Sequence, residues 1–451
     1  MNIFLRRFGY LLLLASTPAF ADDHSPLAGP SLDRKTGTGV VYFATGNDRP
    51  GPGERSASSA VEDTLAREDG IPQPEATRGR LLPDSDFSLS WTNFLTSPVA
   101  GDGDDRARLG GKFDGYATIA GTDIGLWTGL SVNAHAEFGY GRTVEPQGTG
   151  MLLPVNTALA FPRLNDEGFD LALNITQRFG DASLTVGKIN MIDNAGSTPI
   201  VRSDGREGFQ NIALAAPPTF TTPPSIFGAL LRIPTTAGPI VTLGIWDPHT
   251  AVRRALPDDL FGDGVNGMAM LTQPVNVRGK RGFQSLMLSW TTERGFDLND
   301  LPYLFLPPDS DVLFREARGG YIARYQFQQF IWQDPDDPSR GVGVFGQLSY
   351  VDDNPLPGNW SMSLGITGDP RIASRPADRF GVAYFRTSMS EVLRDGVAPI
   401  VNLGDEQGIE AFYSFAIGNN LVLTADAQVI DPADRSRSTA AFLGARARVT
   451  F

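Results

Sequence analysis

Cysteine is absent from this 451-residue chain, and histidine occurs only at positions 24, 135 and 249. The first absence excludes disulfide frameworks, thiolate-ligated zinc, iron–sulfur clusters and thiol nucleophiles. The second leaves little room for histidine-based metal chemistry, so neither a cofactor nor a metal centre is expected. Basic residues are outnumbered, 38 Lys and Arg against 51 Asp and Glu, for a formal charge of −13. Nucleic acid is therefore not expected as a partner, because phosphate binding relies on clustered Lys and Arg. Long apolar runs are missing too: Phe8 to Ala15 falls well short of the ~20 residues a helical membrane span needs. That run reads instead as the core of an export signal over residues 1–21. Arg6 and Arg7 precede it, Ala19-Phe20-Ala21 offers a cleavage site, and Asp22-Asp23 follow.

What the chain has in quantity is glycine (50), proline (33) and phenylalanine (28), with 41% apolar residues. Residues 22–85 are rich in breakers such as Arg49-Pro50-Gly51-Pro52-Gly53 and carry too few apolar residues for a core. They read as a polar, mostly irregular extension, with one short helix expected at 56–68. From residue 86 to 451 the pattern becomes period 2, the signature of strands. Leu443, Ala445, Ala447, Val449 and Phe451 fall on one face, opposite Gly444, Arg446, Arg448 and Thr450. Leu421 to Val429, Ile409 to Ile417, Trp360 to Thr367, Val342 to Tyr350, Phe169 to Thr176 and Val132 to Tyr140 repeat the arrangement. Further strands are expected near 86–94, 111–120, 182–190, 226–234, 239–247, 282–292, 319–330 and 378–388, and a short helix at 388–394. Tight turns at Gly180-Asp181 and Gly418-Asn419-Asn420 alternate with long stretches at 142–167, 191–225, 248–280 and 293–318.

The polar faces of these strands carry charges and amides in mid-strand while the apolar faces run on unbroken. A soluble sandwich would need a very large shared core to cover so many apolar faces. A closed barrel turns them to lipid and the polar faces to water, with every backbone group paired. The expectation is an all-β, transmembrane antiparallel barrel of about sixteen strands: fifteen segments are readable and such barrels favour even numbers.

Several motifs reduce to bland readings. Gly262-Asp263-Gly264-Val265-Asn266-Gly267 fits G-x-G-x-x-G but follows Pro257-Asp258-Asp259, so it reads as a loop turn. Gly187-Lys188 lacks the Ser or Thr of a phosphate loop. Asp102-Gly103-Asp104-Asp105 and Asp334-Pro335-Asp336-Asp337 lack the spacing of a calcium loop. His135, beside Asn133 and Glu137, faces the interior by parity; a barrel-embedded lipid hydrolase would need it near the lipid-facing surface with a serine close by. Lys188 is out of phase, since alternation from Leu184 and Val186 sends it to lipid. Either Gly187 is a bulge that flips the phase, or the side chain snorkels at the membrane edge.

Three stretches together resemble the carbohydrate-selective porins of the OprB family, over roughly residues 105–451. They are Val186-Gly187-Lys188-Ile189-Asn190-Met191-Ile192-Asp193 with the Gly205 to Pro218 segment, then Gly341 to Pro357 with Asp378 to Phe385, and finally Asp405 to Tyr413 continuing to the aromatic terminus Phe451. The resemblance implies a sixteen-stranded channel in the outer membrane of a Gram-negative bacterium, a monomer or homotrimer embedded in outer-membrane lipid. It would pass small neutral sugars by diffusion through a constriction of inward-folded loops, without catalysis. Sugar selection calls for charged donors and acceptors with aromatic faces. The lumen-parity residues Glu137, Asp170, Arg324, Glu410, Asp426, Arg446 and Arg448 offer the first, Phe412 and Phe385 the second. Arg202, Asp204 and Arg206 place further charge in the 191–225 loop. A general or ion-selective diffusion porin is the competing reading.

Overall fold

Sixteen antiparallel strands close on themselves, each paired with its sequence neighbour and β1 with β16. The structure, a computed structural model, describes Leu82 and residues 84–451, apart from 145, 197, 236–237, 306–313, 336, 371, 373 and 399. The expected export signal and the helix at 56–68 lie outside the described residues.

The strands are β1 (Asp86–Ala100), β2 (Arg108–Ala120), β3 (Leu130–Gly141), β4 (Gly168–Phe179), β5 (Ala182–Asn190), β6 (Ser225–Ile233), β7 (Ile240–Trp246) and β8 (Asn266–Val277). The second half comprises β9 (Lys280–Phe296), β10 (Glu316–Gln333), β11 (Gly341–Val351), β12 (Gly358–Gly368), β13 (Arg379–Met389), β14 (Glu406–Ile417), β15 (Leu421–Asp431) and β16 (Ala440–Thr450). Short helices sit in the connections: α1 (Pro146–Thr149), α2 (Thr157–Ala160), α3 (Met191–Gly196), α4 (Ile212–Ala215) and α5 (Glu391–Val397). Closure is direct, with Ser90 opposite Thr450 and Leu95 opposite Ala445, so the sheet has no free edge.

One strand departs from the sequence reading. β8 lies inside the stretch 248–280 that reads as loop, and Asn266-Gly267 of the G-x-G-x-x-G match begin it. Its period is hidden because the inward side chains Met268 and Met270 are themselves apolar, and Pro274 breaks the pattern further on. Both methionines are buried with Trp246, Met287, Ile226 and Leu230 in an apolar cluster inside the wall. The remaining fifteen strands coincide with the segments read from alternation.

The two faces separate cleanly. Leu443 (54%), Leu364 (53%) and Leu173 (51%) keep half their surface exposed on the outside, while the intervening Thr424, Asp426, Gln428 and Arg446 are buried within. A belt of large exposed apolar residues around the whole circumference is far beyond what a water-soluble surface carries, and it fits contact with hydrocarbon. Aromatics flank the belt on the side of the long loops. Trp290 pairs with Tyr321, Tyr350 pairs with Trp360, and the Tyr321 and Tyr350 rings lie 6.0 Å apart. Exposed Phe87, Trp127, Phe179, Phe415 and Phe451 mark the side of the short turns. Such girdles sit where the headgroups begin.

Candidate functional site: the constriction

Residues 191–224, between β5 and β6, fold into the barrel instead of standing above it. Their backbone is held from the wall at many points. Glu410 of β14 accepts hydrogen bonds from the N–H groups of Gln210 and Asn211. Gln328 of β10 accepts from Ile200 and Val201. Arg324 donates to the Pro217 and Pro218 carbonyls, and Arg379 to that of Ile200. Arg446 of β16 donates to the carbonyls of Gly205 and Gly208, whose φ values of +84° and +60° suit glycine and few other residues. The connection between β3 and β4 joins them from above, with Glu406 accepting from the Leu152 and Leu153 N–H groups and Gln428 donating to the Val155 carbonyl.

This geometry assigns concrete positions to the residues expected at the site. Arg324, Glu410 and Arg446 are buried loop anchors. Arg202 is buried too, donating to the Pro199 and Ser339 carbonyls. Asp426 accepts from Gln428 within the wall, and Arg448 pairs with Glu207 of the loop. Phe412 and Phe385 are not open stacking faces. Phe412 meets Phe209 of the loop edge-on at 5.0 Å, and both lie buried in the apolar cluster that seats the loop.

The remaining three, Glu137, Asp170 and Arg206, belong to a charged site against β2 to β5. Asp114 of β2 stands directly across from Glu137 of β3, and Glu137 across from Asp170 of β4. Three carboxylates in a cross-strand row repel unless neutralised, and each has its own cation. Arg206 reaches Asp114 at 2.9 Å, Lys112 reaches Glu137 at 2.8 Å and Lys188 is bonded to Asp170. Lys188 thereby resolves its phase problem. Gly187 adopts φ +134°, the β4–β5 ladder ends at its pair with Asn174, and Lys188 beyond it is buried inside the wall.

His135 links this row to the loop. Its Nε2 lies 3.0 Å from Asp114 Oδ1 and its Nδ1 2.7 Å from Asp193 Oδ2 of α3; an imidazolium donates to both. Tyr116 stacks on the ring at 4.1 Å and donates its hydroxyl to Asp193. Arg206 bonds Asp193 at 2.8 Å and Asp204 at 2.6 Å. Burial would raise the Asp193 carboxyl, but His135 and Arg206 outweigh it and hold it down to about 2. Asp114, His135 and Glu137 bring ligand atoms within 4.8 Å of one another, as a metal site would. Arg206 and Lys112 already supply the positive charge there. Lys112, Asp114 and Tyr116 alternate along β2. Their importance comes from pairing with a loop far along the chain, which carries no local signal.

Residues 124–451 match the family model described as "Carbohydrate-selective porin, OprB family". The chain belongs to that family. As an OprB-family member it is a carbohydrate-selective porin, a channel whose sixteen-stranded barrel surrounds the passage just described. A structure of Pseudomonas putida OprB at high pH superposes with TM-score 0.72 at 17% identity, over 84% of this chain and 97% of that one. The low-pH structure of the same protein gives TM-score 0.46 at 14% identity, over 81% and 92%. Pseudomonas aeruginosa OpdK with vanillate gives 0.43 at 11%, over 82% and 99%. No curated protein matches the sequence.

Proposed function

We propose that this porin sits in the outer membrane of a Gram-negative bacterium, exported there by residues 1–21, and lets small neutral sugars diffuse into the periplasm. The observation that carries the reading is the inward loop of residues 191–224, pinned to both walls by buried side chains. A loop so held sets a fixed aperture, which size and hydroxyl pattern then probe. Each carboxylate of the Asp114–Glu137–Asp170 row has its own cation, so that row does not select cations. Neutral, hydroxyl-rich solutes exchange water for these paired donors and acceptors. Passage requires weak binding, of roughly millimolar dissociation constant. No residue set for covalent chemistry is needed.

Liposome swelling with purified protein tests the reading. Neutral monosaccharides should enter several-fold faster than zwitterionic amino acids of similar size. Equal rates at equal size would replace sugar selectivity with general diffusion. Strong dependence on solute charge would favour an ion-selective pore.

A further inference from the structure

At the end of the barrel that carries the tight turns 180–181 and 418–420, charge is distributed differently from the Asp114–Glu137–Asp170 row. Arg379 opens β13 there, and Arg340 and Asp369 stand beside the adjoining ends of β11 and β12. The tip of the inward loop reaches the same place. Arg379 donates to the Ile200 carbonyl at 3.0 Å, and Arg202 donates at 3.0 Å to that of Ser339, the neighbour of Arg340. Arg202 and Arg340 both lie near enough to Arg379 to repel it. Among the described residues, Asp369 is the only carboxylate paired with any of the three. It stands 3.7 Å from Arg379 and 3.8 Å from Arg340, beyond hydrogen-bond reach. One of its oxygens already accepts the Gly341 N–H at 3.0 Å. Arg202 and Arg379 are 6% and 9% exposed, and Nε of Arg379 is buried with no acceptor among the described residues.

Three guanidinium groups therefore face one carboxylate, an excess of two positive charges. Cations buried without counter-charge are costly. A guanidinium with an unspent N–H meets an oxyanion through charge-assisted hydrogen bonds. Arg340 keeps 30% of its side chain exposed and forms the open side, so an anion enters from the turn end of the barrel, which in such barrels faces the periplasm. We propose that Arg202, Arg340 and Arg379 form a binding site for a small oxyanion of the phosphate class. The anion accepts the Nε–H of Arg379, meets Arg340 at the rim and is faced by Arg202 from the loop, so it ties the loop tip to the wall. The site is separate from the charged row around Asp114 and His135. It goes beyond the carbohydrate-channel reading and does not depend on it.

Isothermal titration of the purified, folded porin in detergent with sodium phosphate tests it, with sodium chloride at equal ionic strength as the control. Phosphate should bind saturably, and chloride should give no comparable heat. Arg340→Gln removes the rim cation and leaves the loop anchors in place. It should weaken phosphate binding by about ten-fold, the equivalent of one charge-assisted hydrogen bond. Arg379→Lys keeps the charge but removes the Nε–H, and should weaken binding by a similar factor. Asp369→Asn takes away the competing carboxylate and should tighten it several-fold. Phosphate should also raise the temperature of the heat-modifiable band shift in the wild type and leave it unmoved in Arg340→Gln, because only the folded state holds the site. Absence of saturable phosphate binding in the wild type, an equal response to chloride, or wild-type affinity in Arg340→Gln would each overturn the site. The carbohydrate reading is decided separately, by the swelling rates.

Discussion

The carboxylate of Glu410, in the middle of β14, accepts the backbone N–H of Asn211 at 2.9 Å, with the N–H of Gln210 on its other oxygen. One side chain on the wall thus caps two consecutive amides of the loop that narrows the pore. Glu410→Gln keeps the volume but leaves one oxygen to accept and places an NH₂ against an N–H. The loss should be about 1–3 kcal/mol at that anchor. The other anchors remain, so the barrel should still assemble. Single-channel conductance should rise and become noisier, and the preference for sugars over amino acids in swelling assays should shrink.

Gly187 decides which way Lys188 points. A Cβ at position 187 would lie 2.7 Å from the Leu173 carbonyl oxygen, on a backbone with φ +134° that other residues adopt only under strain. Gly187→Val should disturb the turn that buries Lys188 against Asp170 and leave that carboxylate without its cation. The temperature of the heat-modifiable band shift should fall by several degrees. If the shift is unchanged, the phase reversal does not depend on glycine.

Alternation exposed the fold almost completely because lipid on one side and water on the other impose opposite polarity on successive residues, and strands such as Leu421 to Val429 obey it along their length. Where the inner face is apolar, as at Met268 and Met270, the contrast vanishes and the strand reads as loop. The site was legible in a weaker sense. Parity placed Arg324, Glu410 and Arg446 inside, correctly. It does not say what an inward side chain meets, and these three meet loop carbonyls and amides about a hundred residues or more away in sequence.

Acid should loosen the loop over a definable range. Asp193 is held at about 2, below the ~3.9 of an unperturbed aspartate. A depressed carboxyl contributes stability that is fully present above the unfolded value and is lost as pH falls through the folded one. The contacts of α3 with His135 and Arg206 should therefore hold above about pH 4 and weaken between about pH 4 and 2. The Asp193 side chain keeps 27% of its surface exposed, so the stabilisation is on the order of 1–2 kcal/mol after screening. Conductance noise should increase as pH falls from about 4 to 2. In Asp193→Asn the noise should be present at neutral pH and change little between about pH 4 and 2.

Leu443 tests the membrane face itself. It is half exposed on the outside of β16, between Ser97 of β1 and Ala427 of β15, so its side chain has hydrocarbon and no protein above it. Leu443→Arg puts a cation there at a penalty of about 2–4 kcal/mol if the residue sits near mid-depth, falling toward zero at the interfaces. The refolding yield into phospholipid vesicles should drop, and the urea midpoint of the folded fraction should shift down. Leu443→Met, which keeps an uncharged apolar side chain on the same outer face, should leave both unchanged. If the two substitutions behave alike, the outer face of β16 is not solvated by lipid.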